Sequence, residues 1–499
     1  MAGIGFELRR LAREGGVIRP VASAGHGAVV AAGPWLLTVL ALSIIQHRLP
    51  RSTQAAYDLQ ALVIYVFCLS LVVTAPLVAG ALRLAADDLH LRKPDRIRAT
   101  YLVSLAASIV ATALVALFLF RFGFGWRGEP LLAASAASGA TAAIWPATAF
   151  CAATHDFGSI TRGFVLGLIL AVGATLHGAS AGLTPPIQAL LFAAGLWFTA
   201  VWLTGRVLST FPADVRNIGA ALWRILETTR RHSAVVLGAL VATLAIWVDS
   251  WILWFGPAGL AVASGLPTAP FYDSAMFVAR LSMLPGLVLF LGSVDTGVFQ
   301  AVRRFLGAVE GHASLSRIET LSVGMSREID QLLVRMILVQ ATFSTVALAL
   351  APAFVEPAGL LYQQLGILRL GLLAALFHTI FFAATTLLLL LGQERRFLLA
   401  QLAFLASNAA LTGATLAIGR DAYGFGYLAA TALSALLAIW LLKRSQDAFV
   451  YLTFSAALEQ SRNRPPLPLQ AIPILLLSHL RRIALRATTR PSQSQETER

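Results

Sequence analysis

Long apolar runs separated by short charged stretches dominate this chain, and their spacing predicts twelve membrane-crossing helices. An α-helix needs roughly 20 apolar residues to cross the hydrocarbon layer, since each residue advances it by about 1.5 Å. Runs of that size fall near 22–45, 57–82, 101–120, 131–153, 163–182, 187–208, 234–255, 273–299, 332–352, 368–391, 397–418 and 425–442. The pattern predicts an all-α polytopic membrane protein whose twelve transmembrane helices form two six-helix bundles around a central cavity.

The polar stretches set the organisation. A cytoplasmic segment, 1–21, precedes the first bundle at 22–208, and an Arg-rich linker at 209–233 carries Ile218, Leu222, Ile225 and Leu226 at helical spacing. The second bundle spans 234–442. Because six is even, both bundles begin on the same side, the arrangement of a parallel repeat. Within the second bundle a helical loop at 300–331 continues into Leu332 and Leu333; Ile318, Leu321 and Ile329 at helical intervals predict a pair of short amphipathic helices there. In the tail, 443–499, the apolar run Ile472–Leu477 is too short to span and lies beside Arg481, Arg482 and Arg486, which predicts an interfacial helix. The residues from Pro491 onward have a disordered composition.

Charge then orients the threading. Of 38 Lys and Arg residues, 31 fall on one side; only Arg48, Arg51, Arg121, Arg127, Arg369 and Arg420 fall on the other, and Arg280 lies inside a helix. Basic residues are retained on the cytoplasmic side, so both termini are expected there. The net charge of +14 thus reads as topology and attraction to anionic membrane lipid, not as a nucleic-acid surface, because the positive residues are divided among many short loops. With 58% hydrophobic and 12% charged residues, ordinary soluble composition is excluded. Cys68 and Cys151 sit in apolar segments as small buried hydrophobes, which leaves no case for a disulfide framework. Neither a phosphate-binding Gly-rich loop nor a His-Glu-x-x-His motif is present, so no enzyme activity, cofactor or metal is expected.

An ionisable group inside a span costs about 2.5–3.5 kcal/mol on insertion scales and therefore needs a reason. Asp249 in the seventh segment and Arg280 in the eighth both fall roughly 9–10 Å below the outer surface. Three arrangements fit: an ion pair acting as a fixed clamp, one or both groups facing the cavity to meet a cation or polar substrate, or snorkelling to the surface. Asp295 falls at the inner end of its helix. His26, His177, His378 and His155-Asp156 read as hydrogen-bonded groups, with a titrating gate as the alternative for His26. Gly33-Pro34 and Pro285-Gly286 are hinge candidates, because proline removes a helical hydrogen bond. Trp35, Trp247, Trp251 and Trp254 offer either stacking faces or an interfacial belt.

Several stretches carry a resemblance. MAGIGFELRRL (Met1–Leu11), SAGHGAVVAAGPWLLTVL (Ser23–Leu40), WVDSWILW (Trp247–Trp254), FYDSAMFVARLSMLPGLVLF (Phe271–Phe290) and SVDTGVFQAVRRFLGAVEGHASLSRIE (Ser293–Glu319) resemble the Pel exopolysaccharide exporter family, PelG. The resemblance spans Met1 to about Leu442. It implies a flippase-superfamily transporter exporting a hexosamine-rich polymer across a bacterial inner membrane. It also implies a cytosolic glycosyltransferase partner and membrane subunits including a cyclic-di-GMP receptor. The family's acidic positions map onto Asp249 and onto Asp273 beside Tyr272, whereas Asp295 and Gly392-Gln393-Glu394 depart from its pattern. Two other functions fit the residues alone: a cation-coupled small-molecule antiporter, and a non-transporting scaffold for the glycosyltransferase.

Overall fold

The computed structural model describes residues 37–48, 55–215 and 217–462, the side chains of 295 and 456–462 excepted. The expectations for 1–21, His26, Gly33, Pro34, Trp35 and the tail beyond 462 lie outside the described residues.

Helices account for nearly every described element. They are α1 (37–48), α2 (Ala55–His90), α3 (Ile97–Phe118, extended by a π-turn at Leu119–Gly123), α4 (Glu129–Ala153), α5 (Phe157–Ser180) and α6 (Pro185–Thr210). A short helix, α7 (Ile218–Arg231), leads into α8 (Ser233–Trp254). Two-residue strands, β1 (Leu260–Ala261) and β2 (Pro267–Thr268), form a small antiparallel hairpin. Then follow α9 (Pro270–Leu281), α10 (Leu284–Ser293), a π-turn at Val294–Val298, α11 (Phe299–Glu310), α12 (Leu315–Phe354), α13 (Leu365–Leu390), α14 (Glu394–Ile418) and α15 (Phe425–Asp447). One compact unit ends at Asp447, and the described part of the second is α16 (Phe449–Arg462).

The chain is an all-α multi-pass membrane protein. Among the described residues ten helical segments are long and apolar enough to cross a bilayer. The fourth expected segment is the 25-residue α4, whose many Ala, Ser, Gly and Thr residues make it less apolar, and the first is described only from residue 37, as helix. Small residues set the closest packing. A Cβ placed on Gly167 of α5 would lie 2.7 Å from the Gly195 carbonyl of α6, and one on Gly195 would lie 2.4 Å from the Gly167 carbonyl, so the two backbones touch.

Within the unit ending at Asp447, α2, α3 and α4 pack on one another and α4, α5 and α6 continue that group. Helix α8 packs on α14, α14 on α15, α15 on α13, and α9 and α12 on α13. Helix α2 joins the groups by packing on α8. Alternation along the chain puts α7, the α11–α12 turn and the α13–α14 turn at one end, the charged end, with the β1–β2 hairpin at the other. Long-range pairs agree: Asp88 at the end of α2 binds Arg224 of α7, and His232 lies 2.8 Å from Glu394 at the start of α14. Cys68 and Cys151 are free and buried, as expected.

Two expectations are corrected. The segment after the eighth span is not a pair of short helices: α11 is short, but the polar stretch from Leu315 runs straight into the ninth span as one 40-residue helix, α12. At about 1.5 Å per residue α12 is about 60 Å long, twice the hydrocarbon thickness. Helix hydrogen bonds pass through polar and apolar residues alike, so the end of an apolar run is not the end of a helix. The eighth segment, expected as one helix over 273–299, is interrupted at Ser282–Met283 between α9 and α10.

That interruption has a built partner. Pro285 supplies no N–H, and the fully buried Gln340 of α12 reaches into the gap. Its Oε1 accepts from Gly286 N–H at 3.1 Å, and its Nε2 donates to the Ser282 carbonyl at 2.8 Å and to Ser344 Oγ at 3.2 Å. Gly286 and Ser282 are four residues apart, so one side-chain amide replaces a rung of the helix ladder. In a membrane interior no water is at hand to satisfy those groups. Gly286 must lack a side chain here, because a Cβ would lie 2.6 Å from Gln340 Oε1 and 2.8 Å from Thr379 Cγ2. Gln340→Leu, of similar volume, is expected to lower the stability of the detergent-solubilised protein by about 1–3 kcal/mol for each group left unpaired, read by thermal unfolding.

Candidate functional site

Asp249 lies five residues before Trp254, the end of α8, and is fully buried. Tyr272 and Arg280, two turns apart on α9, both point at it. Tyr272 OH donates to Asp249 Oδ2 at 2.7 Å, and Arg280 Nη2 donates to the same oxygen at 2.7 Å. The guanidinium also sits 4.8 Å from the ring centroid of Tyr427 on α15, a cation–π contact. Tyr427 OH is 2.6 Å from Nδ1 of His378 on α13, and Phe381 and Phe404 close around that imidazole. Four helices, α8, α9, α13 and α15, thus converge on one charged pair.

The pair is not saturated. Asp249 Oδ1 and Arg280 Nε are buried and make no hydrogen bond, although the Arg280 side chain keeps 23% of its surface exposed. A carboxylate taken out of water is stabilised here by one cation and one hydroxyl, and half of its acceptor capacity is left for another group.

Beside the pair lies an aromatic cluster at the hairpin end. Asp273 Oδ2 accepts from Trp254 Nε1 at 2.6 Å and from Ala269 N–H at 3.2 Å. Trp254 stacks on Tyr65 of α2 at 4.9 Å, and Trp247 lies 6.3 Å from Trp254. The hairpin reaches across to the α2–α4 region: Ser264 N–H donates to Asp58 Oδ1 at 2.8 Å, Trp126 Nε1 donates to the Ser264 carbonyl at 2.9 Å, and Tyr65 OH donates to the Pro267 carbonyl at 2.6 Å. Gly265, at φ +84°, lets the tip turn directly after the clamped residue.

Of the residues singled out in the sequence, Asp249, Arg280 and Tyr272 meet in one network, and Asp273, Trp254 and Trp247 adjoin it. Trp247 and Trp254 are buried, their surroundings supplied by protein, whereas Trp251 is half-buried. Pro285 and Gly286 lie just past the interruption at Ser282–Met283, five and six residues beyond Arg280. Asp295 falls on the π-turn. Sequence reading passed over Tyr427, Tyr65, Asp58, Trp126 and Gln340 and discounted His378. Only a polar side chain inside an apolar run marked Gln340, Tyr427 and His378. At the charged end Asp156 caps α5 through Ser159 N–H and pairs with Arg206 at 2.7 Å; partial burial raises its carboxyl, but Arg206 and Ser159 outweigh that and hold it below the usual range. No cluster of three or more metal-ligating side chains occurs among the described residues.

Solved transporter structures share this fold. A MATE point mutant superposes with a TM-score of 0.62 at 13% identity, over 90% of this chain and 97% of that one. An outward-facing multidrug resistance MATE family transporter of the MOP superfamily gives 0.58 at 13% identity, over 90% and 97%. A MOP superfamily transporter from Pyrococcus furiosus Vc1 (DSM3638) gives 0.56 at 14%, over 89% and 96%. At such identities the likeness is one of fold. A curated sequence, the apolipoprotein N-acyltransferase of Gloeobacter violaceus (strain ATCC 29082 / PCC 7421), is 27% identical over 217 residues, 42% of this chain. The chain spans only 37% of that protein's length, and no activity is carried over from it. The profile of the family described as "PelG: Putative exopolysaccharide Exporter (EPS-E)" matches residues 1–454, nearly the whole chain, and this chain belongs to that family.

Proposed function

We propose that this chain exports a Pel-type, hexosamine-rich exopolysaccharide across the bacterial inner membrane, receiving it from a cytosolic glycosyltransferase held in a complex with membrane subunits that include a cyclic-di-GMP receptor. The family match supports the substrate class. The observation that carries the site is the buried Asp249–Arg280 pair with its unused carboxylate oxygen, because an intramembrane charge costs too much to keep without a role.

In this reading the charged end is cytoplasmic and both termini lie there. The polymer passes between an N-terminal bundle, 22–208, and a C-terminal bundle, 234–442, with 209–233 as their linker and the loop at 300–331 and the tail 443–499 on the cytoplasmic side. Asp249 is the switch. A proton, or the ammonium group of a deacetylated sugar, arriving at Oδ1 weakens its hold on Arg280. The freed guanidinium then re-partners with Tyr427 or with the polymer's hydroxyls. Arg280 ends the turn before the interruption at Ser282–Met283, so its release is passed to α10, and Pro285-Gly286 is the place where the helix bends. Trp251 and Tyr272, with Trp35, Trp247, Trp254 and Asp273, supply stacking and hydrogen-bonding surfaces once the aromatic cluster opens.

Inverted membrane vesicles carrying the synthase partners and fed labelled nucleotide sugar test this reading. Polymer protected from added glycosidase only when this chain is present is the expected result. Polymer made equally but left digestible in both cases points to a scaffold, and solute movement by this chain without any synthase points to a small-molecule antiporter; either outcome removes the export reading.

A further inference from the structure

Helix α7 has two apolar faces, and the other described residues cover only one. Ala221 and Ile225 pack on Leu84 of α2 and Val103 of α3, with Ala99 alongside. Thr229 fills the space over Gly80, where a Cβ would lie 2.6 Å from its Oγ1, and Arg224 binds the fully buried Asp88. Gly80, Leu84 and Asp88 stand one turn apart on α2, so α7 lies along the last turns of that span and cannot rotate. The other stripe is left in the open. Ile218, Leu222 and Leu226, one turn apart, are exposed, and Trp223 keeps 68% of its surface. Leu89 and Leu91 in the neighbouring turn are exposed as well.

Position and charge together say what covers this stripe. Helix α7 runs into the membrane span α8 after His232 alone, and Gly80 on its partner helix lies in the last apolar turn before Arg83 and Asp87. That is the level of the headgroups. Exposed Arg230, one turn after Leu226, borders the stripe, and Arg92 and Lys93 follow Leu91. An apolar stripe with an exposed indole and a cationic border fits the boundary between acyl chains and anionic phosphates. We propose that α7 is a membrane-surface contact: Ile218, Leu222, Trp223 and Leu226 enter the acyl boundary while Arg230 binds anionic lipid phosphates. The linker between the two helix groups is thereby tied to the bilayer surface, so that opening of the groups is sensed at the headgroup layer.

Full-length protein in vesicles, spin-labelled at single cysteines placed at Ile218, Leu222, Leu226, Glu227 and Arg231 with Cys68→Ser and Cys151→Ser, tests this. Labels at the first three positions are expected to be reached by dissolved oxygen and shielded from an aqueous nickel reagent, with the reverse at Glu227 and Arg231. Nickel access at all five, or shielding of the stripe from both reagents by a protein partner or a second copy, overturns the proposal. Phosphatidylglycerol vesicles are expected to deepen the Leu222 label relative to phosphatidylcholine, and Arg230→Gln to remove that difference; equal depth in both lipids for the otherwise native protein overturns the anionic preference. Thermal unfolding of each variant at the native temperature confirms that a shift in depth is not a folding defect.

Discussion

Asp249→Ala is expected to abolish export and to destabilise the protein by about 3–5 kcal/mol, because it strands the Arg280 guanidinium in a membrane interior without its counter-charge. Asp249→Asn keeps the shape and still accepts from Tyr272, so it is expected to reach normal membrane abundance while losing protected polymer in the vesicle assay. The decisive variant is the double one. Asp249→Asn with Arg280→Met removes both charges, which costs far less than breaking the pair, since an ion pair exchanged for apolar groups is often close to neutral in stability. Thermal unfolding near the native temperature with export still absent assigns the pair a role in transport. Recovery of export by the double variant reduces the pair to a structural clamp and removes Asp249 from the mechanism.

Locking the β1–β2 hairpin to α2 is expected to reduce export to background. Three hydrogen bonds, from Ser264 to Asp58, from Trp126 to Ser264 and from Tyr65 to Pro267, hold the hairpin across the α2–α4 region. Each is worth only about 1 kcal/mol net, with the one to the Asp58 carboxylate somewhat more, so together they form a closure that a substrate can open. Asp58→Cys with Ser264→Cys, joined by a cleavable thiol crosslinker, makes that closure permanent; cleavage is expected to restore export. Export at the native rate while crosslinked shows that the hairpin does not gate. A second readout does not depend on export. Cys68 is buried in α2 one turn from Tyr65, and Asp58→Ala with Trp126→Phe is expected to raise its labelling by a membrane-impermeant maleimide from the hairpin side. Unchanged labelling would mean that those bonds do not close that end.

Much of this architecture was legible in the chain because spans are local objects. A run of about 20 apolar residues is a property of consecutive residues, and the bias of Lys and Arg toward one set of loops survives any detail of packing. Asp249 and Arg280 were also legible as partners, since adjacent antiparallel helices fix depth through residue number alone. Depth allowed the two side chains to pair, to face the cavity or to snorkel, and the rotation of α8 and α9 about their axes brings them together. Tyr427 and His378 lie far along the chain from both, and their part in the network depends on how α13 and α15 are turned. No spacing rule reports that.

The continuity of α12 and the gap at Ser282–Met283 show the same limit from opposite directions. Polar residues from Leu315 onward ended an apolar run but not a helix, because the rungs are made by backbone groups. Pro285 marked a weak rung, yet what fills the gap comes from Gln340, 54 residues beyond Gly286 and on another helix. Hydropathy and charge along the sequence thus determined that the chain crosses a membrane many times and which loops carry its positive charge, since both are sums over neighbouring residues. Which polar groups meet inside, what the hairpin bonds to and which face of α7 the other described residues leave uncovered were decided by the tertiary structure, because helix rotation is set by side chains that interlock from distant parts of the chain.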